Sequence, residues 1–80
     1  MKKVENDIYK TNDLTLATVL SLAFPFTMDK SNPRKVVFEF ERSEPLQECV
    51  DKFWRGELTV EPLRFAGQTK MLKTRIYSET

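Results

Sequence analysis

The sequence predicts one small α+β domain of order β-α-β-β-α-α, in which an antiparallel hairpin packs against helices. In two segments large apolar side chains alternate with other residues, which is typical of strands. In three further segments the apolar residues recur at the spacing of a helix, and each of these segments begins at or after a capping residue or a proline. The chain has 80 residues, of which 40% are hydrophobic. A single domain of this size, residues 1–80, buries only roughly 60% of its unfolded surface. A partner subunit would therefore add stability.

The first third of the chain predicts a strand and then an apolar helix. Residues 1–6 are expected to be a flexible N-terminus and residues 7–10 a short strand. Residues 11–13 (TND) offer three caps for a helix over residues 14–23. The polar residues of this helix recur every third position and form one narrow hydroxyl stripe. We expect the helix to lie deep in the fold or in a dimer interface.

The middle of the chain predicts a hairpin. Residues 24–29 and 36–41 have the period-two pattern of half-buried strands, and residues 30–34 between them are typical of a turn. Pro25 has no amide hydrogen, which restricts this strand to an edge position or places Pro25 near the start of the strand.

The second helix has clear signals at both ends. Ser43 is its expected cap, Pro45 fits the first turn, and Gly56 is suited to a left-handed end. Apolar residues recur at i, i+3, i+4, i+7 and i+8 and form its inward face: Leu46, Cys49, Val50, Phe53 and Trp54. A brief extended piece is expected at residues 58–60.

The third helix is expected to begin at Pro62, with Glu61 near the positive end of the helix dipole. Its inward seam consists of four residues at helical spacing: Phe65, Thr69, Leu72 and Ile76.

The charge distribution is the strongest indication of a binding surface. Residues 62–78 contain four cations and no anion, whereas residues 39–51 contain five anions and one cation, in a chain of formal net charge +1. In helical projection the cations flank the inward seam of the third helix and do not form one continuous row: Arg64 and Arg75 lie on one side, Lys73 and Lys70 on the other.

The preferred functional hypothesis is an accessory or regulatory protein that binds DNA or RNA, because cations on the third helix can contact phosphates. The residues predicted to contact nucleic acid or a partner are Arg64, Gln68, Lys70, Lys73, Arg75, Tyr77, Arg55 and Trp54. The structural alternative is that the long cationic side chains cover the edges of the apolar seam. The nearly neutral overall charge favours this alternative.

The main alternative function is a protein–protein interaction module, such as a phage-encoded inhibitor or adaptor of a host protein. Trp54 and Arg55 are residue types enriched at interface hot spots. Because Trp54 completes the apolar face begun at Leu46, packing in the core is the favoured interpretation of this side chain. The charge separation also fits a symmetric homodimer, in which the acidic hairpin and helix of one copy face the basic helix of another.

Nothing in the sequence indicates an enzyme. Histidine is absent, which removes the commonest general base and the commonest metal ligand. Cys49 is interpreted as a core thiol, and the acidic spacing of Glu44, Glu48 and Asp51 as a solvated helix face. The two isolated glycines form no phosphate-binding loop. No catalytic residue, metal or cofactor is expected.

The sequence predicts a cytoplasmic protein. No apolar run approaches the roughly 18 residues of a membrane span, and the charged start of the chain is not a signal peptide. The single cysteine fits a reducing compartment.

The chain resembles a small family of bacterial, archaeal and phage proteins that share a domain of unknown function. The resemblance is carried by YKTNDLTLA at residues 9–17, VVFEFE at 36–41, FWRGE at 53–57 and LKTRIY at 72–77. It spans nearly the whole chain and implies no activity, ligand or catalytic residue. It does imply a phage or mobile-element origin, where compact proteins often act by binding.

Overall fold

The structure, a computed structural model, describes residues 7–32 and 34–78. They form β1 (Ile8–Thr11), α1 (Leu14–Ser21), β2 (Thr27–Asp29), β3 (Val37–Glu41), α2 (Glu44–Arg55) and α3 (Pro62–Ser78). The predicted α+β class and the element order β-α-β-β-α-α are confirmed. The N-terminus predicted to be flexible, residues 1–6, lies outside the described residues.

The three strands form one antiparallel sheet of order β1-β3-β2. The predicted hairpin of β2 and β3 is confirmed, and β1 pairs with the other side of β3. Tyr9 lies opposite Phe40, and Met28 lies opposite Phe38. Because side chains alternate across a strand, these four residues share the face that packs against the helices, while Glu39 points to the other face.

Several predicted boundaries differ from the observed ones. The strand predicted for residues 24–29 is the shorter segment Thr27–Asp29, which begins after Pro25 and so leaves that residue outside the ladder. The helix predicted to reach Ala23 ends at Ser21, and a tighter turn follows it. Residues 58–60, predicted to be a brief extended piece, belong to neither a helix nor a strand.

Local capping explains where α1 and α2 begin and end. Asp13 and Ser43 each accept, through a side-chain oxygen, the amide hydrogen of the residue three positions on, at 3.1 and 3.2 Å. Gly56 ends α2 with a left-handed φ of 73°.

α1 is the central helix of the layer and contacts both α2 and α3. Residues 16–20 are all buried, which confirms that this helix lies deep within one chain. Thr18 and Ser21 of the predicted hydroxyl stripe face α3, where Gln68 donates a hydrogen bond to Ser21 Oγ at 2.9 Å. The main core cluster comprises Leu16, Ala17, Leu20, Phe38, Phe40, Leu46, Val50 and Leu72.

The molecule is a flat slab of 40 × 31 × 17 Å, consistent with one sheet and one helical layer. No helix in the described ranges has both the length and the apolar character needed to cross a bilayer.

Candidate binding surfaces

One side of α3 packs against the core, and the opposite side is exposed to solvent. Leu72 is fully buried, and Lys70, two positions before it, projects about 160° away. Leu63, Lys70 and Tyr77 are seven residues apart, so each lies only about 20° from the next on the helix surface. Leu63 is 79% exposed and Tyr77 is 78% exposed. With Lys73 beside them, these residues form the basic face of α3.

The basic face of α3 has two exposed lysines. Among residues 7–32 and 34–78, no ion pair joins Lys70 or Lys73 to a carboxylate. Gly67 lies beside this face, and a methyl group added there would meet nothing within 4 Å. Another chain therefore has room to approach the helix closely.

The two arginines of α3 lie on the other side of the inward seam, as predicted. The Arg75 guanidinium stacks over the Phe26 ring at 5.1 Å from the ring centroid. The Arg75 carbonyl accepts a hydrogen bond from Lys30 Nζ at 2.7 Å. Arg75 thus ties the C-terminal part of α3 to the β2 side of the sheet.

Arg64 lines a separate apolar groove of about 300 Å³ between the end of α1, α2 and residues 58–61. The Arg64 amide donates to Glu61 Oε1 at 2.7 Å, which caps the start of α3.

Cys49 also lines this groove and is half-buried. Burial raises the pKa of the Cys49 thiol, and the nearby Lys52 only partly opposes that rise. A thiol that resists ionisation is a weak nucleophile.

Two other predicted contact residues have partners within the fold. The Gln68 side chain is half-buried and bonded to Ser21, and Arg55 Nε lies 3.0 Å from Glu57 Oε1. The structure therefore divides the predicted contact set. It brings together only Lys70, Lys73 and Tyr77.

The prediction that Trp54 packs in the core is wrong, since its side chain is 63% exposed. Trp54 projects about 80° from Leu46, at the rim of the apolar face, and it lies in the last turn of α2. Its ring packs edge-on against Phe53, with a centroid distance of 4.9 Å.

The outward side of α2 is acidic over residues 44–51 and carries the cations Lys52 and Arg55 in its last turn. Glu44, Glu48 and Asp51 each project about 140° to 160° from the buried Leu46, and all three are exposed. We call these residues the acidic face of α2. Gln47 Nε2 donates to Asp51 Oδ1 at 3.0 Å, but within the described ranges no ion pair links these acids to a cation of α3.

Sequence reasoning missed Leu63, since the residue lies outside the inward seam and carries no charge. Its spacing of seven from Lys70, repeated between Lys70 and Tyr77, was the available signal. The described residues contain no group of three or more potential metal ligands.

Comparison with known proteins shows the family and nothing about activity. No curated protein matches the chain, and no solved structure matches it. One family model, described as Domain of unknown function (DUF5659), matches residues 6–78. Because this match covers nearly the entire sequence, the chain belongs to the DUF5659 family.

Proposed function

We propose that this protein is a non-enzymatic binding module that docks an acidic protein surface on the basic face of α3. The observation that carries the proposal is the arrangement of that face. Two ammonium groups, on Lys70 and Lys73, lie between the exposed apolar side chains of Leu63 and Tyr77. Burying such side chains drives association, while the cations select a partner of opposite charge.

The geometry favours a protein over a nucleic acid as the main ligand. The two lysines of this face can neutralise only about two phosphates, which gives weak affinity. Three of the other predicted contacts, Arg75, Gln68 and Arg55, have partners elsewhere in the fold. By contrast, an exposed leucine and an exposed tyrosine about 21 Å apart along one helix fit the groove-binding mode of helical protein interfaces.

Nucleic-acid binding is the second candidate, and one observation supports it. Tyr77 shares its helix face with Lys70 and Lys73, and proteins that bind single strands combine an aromatic stacking platform with cations in this way.

A cytoplasmic protein of phage or mobile-element origin would fit either candidate. An inhibitor or adaptor of a host protein corresponds to the first. Trp54, on α2, offers such a partner a second aromatic anchor.

Fluorescence anisotropy with two labelled probes tests the proposal. The probes are an acidic amphipathic helical peptide and a single-stranded DNA or RNA oligonucleotide, each titrated at low and at high salt. The peptide should bind, and Leu63→Ala and Tyr77→Ala should each weaken it about tenfold or more, because each removes an apolar anchor. Lys70→Glu should abolish the binding.

Arg64→Glu is the matched control, since it makes the same charge reversal on the other side of α3. It should leave peptide affinity within about twofold. Oligonucleotide binding that is lost in Lys70→Glu and unchanged in Leu63→Ala would favour the second candidate. If neither probe binds at low salt, both proposals are wrong.

A further inference from the structure

We infer that a second copy of this chain is a partner for the basic face of α3 and binds it through the acidic face of α2, forming a symmetric dimer. The inference rests on the proposed function and names a partner for it. In a two-fold arrangement α2 of each copy contacts α3 of the other, so one type of contact forms twice.

The position of the two faces permits this arrangement. α1 lies between α2 and α3 and contacts both, so α2 and α3 flank the same buried helix. The acidic face projects away from the buried Leu46, and the basic face projects away from the buried Leu72. Both faces are therefore exposed on one molecule and remain separate from each other.

The charge pattern selects which helices can meet. Residues 44–51 carry three anions and no cation, and residues 62–78 carry four cations and no anion. Packing α3 against α3 would bring lysines together, and packing α2 against α2 would bring carboxylates together. Pairing α2 with α3 avoids both repulsions and matches opposite charges.

The spacing of the charges also matches. Glu48 and Asp51 are three residues apart, as are Lys70 and Lys73, which corresponds to about 4.5 Å along either helix axis. A single alignment of the two helices can therefore place both carboxylates opposite both ammonium groups. Within residues 7–32 and 34–78 none of these four groups has an ion pair to give up.

Apolar side chains flank the charges on both helices. Trp54 lies three residues beyond Asp51 on α2, and Leu63 and Tyr77 lie on either side of the lysines on α3. These are among the most exposed large apolar residues in the described part of the chain.

A charge-reversal series tests the dimer by sedimentation or light scattering across a range of protein concentrations. The wild-type protein should have the mass of a dimer at high concentration and low salt. Lys70→Glu and Glu48→Lys should each weaken self-association at least tenfold, because each places like charges together at two symmetric sites. Mixing the two variants should restore the dimer, since the mixed dimer has one wild-type contact and one reversed but complementary contact.

The double variant Lys70→Glu/Glu48→Lys should self-associate for the same reason, and Arg64→Glu should behave as wild type. Circular dichroism confirms that each variant folds. Trp54 is the single tryptophan, so its emission should shift to the blue on dimerisation of the wild-type protein.

Two outcomes would overturn the inference. One is a wild-type protein that is monomeric at every concentration. The other is a dimer that is unaffected by both charge reversals, or is not restored by mixing them. A monomer that still binds the acidic peptide through Leu63 and Tyr77 would overturn the dimer and leave the proposed function intact. If the protein forms a dimer with this mutational pattern but does not bind the peptide, the basic face of α3 serves self-association only.

Discussion

The hydroxyl of Thr69 on α3 lies 3.4 Å from the buried hydroxyl of Thr18 on α1. Thr18 Oγ1 donates to the carbonyl of Leu14 at 2.7 Å, so its oxygen is available to accept the hydrogen bond from Thr69. The Thr69 hydroxyl also lies 3.0 Å from the Phe65 carbonyl of its own helix, and because it carries a single hydrogen, its donations to this carbonyl and to Thr18 are alternatives. This polar contact lies where α1 meets α3 and fixes the orientation of the helix that carries the basic face.

Replacing Thr18 with valine tests the contribution of this contact. Valine keeps the volume and loses the hydroxyl, so we expect the free energy of unfolding in urea to fall by about 1 kcal/mol. Thr18→Ala should cost about 1 kcal/mol more because it also removes a buried methyl group. The control is Thr15→Val, an exposed position of the same helix, which should change stability by less than about 0.5 kcal/mol. Equal effects at Thr15 and Thr18 would contradict the assignment.

The two glycines should respond to alanine with opposite signs. Gly56 has a φ of 73°, which alanine rarely adopts, so Gly56→Ala should destabilise the protein by about 1 kcal/mol. Gly67 lies inside α3, where alanine is the better helix former, so Gly67→Ala should stabilise it by about 0.5–1 kcal/mol. Neither added methyl group meets an atom within 4 Å, so backbone preference alone sets the sign. Thermal unfolding of both variants and of the wild-type protein measures these two changes in stability.

Local signals in the sequence were sufficient to predict the elements of the fold. Asp13, Ser43 and Gly56 act on the backbone within about three residues of themselves, so no knowledge of the tertiary structure was needed to interpret them. The alternation at residues 36–41 likewise depends only on which face of the strand is buried.

The candidate site was less predictable, because contacts between residues distant in sequence decide which side chains have partners within the fold and which are exposed. Gln68 bonds a hydroxyl 47 residues away, and the carbonyl of Arg75 bonds Lys30, 45 residues away. Spacing within α3 cannot reveal such partners. The exposure of Trp54 likewise depends on what packs beside the last turn of α2, which periodicity within that helix does not specify.

Asp29 should make the turn before β3 sensitive to acid. Its Oδ1 accepts the amide hydrogen of Ser31 at 3.0 Å, and this hydrogen bond lowers the pKa of Asp29 below its ordinary value of 3.8. A lowered pKa in the folded state means that the charged carboxylate stabilises the fold above pH 3.8. This stabilisation is lost as the pH falls below 3.8 and through the lowered pKa.

Asp29→Asn should therefore remove part of the decline in unfolding free energy over that acidic range, because asparagine keeps the turn and does not titrate. An NMR titration of the Asp29 carboxyl gives the pKa directly. The control is Asn32→Ala, which removes the 2.9 Å bond from the Arg34 amide in the same loop and should leave the pH dependence unchanged. A pKa for Asp29 at or above 3.8 would contradict the prediction.

Adjacent aromatic residues at the end of α2 should differ sharply in their contribution to stability. Phe53 is half-buried and packs against the core, so Phe53→Ala should lower the free energy of unfolding by about 2 kcal/mol or more. Trp54 is 63% exposed, so Trp54→Ala should lower it by less than about 1 kcal/mol, although tryptophan is the larger side chain. Circular dichroism in urea, at protein concentrations low enough for a monomer, measures both variants without relying on tryptophan emission. A larger loss for Trp54→Ala than for Phe53→Ala would mean that the Trp54 ring is covered by its own chain, and its role as an anchor for a partner would then be wrong.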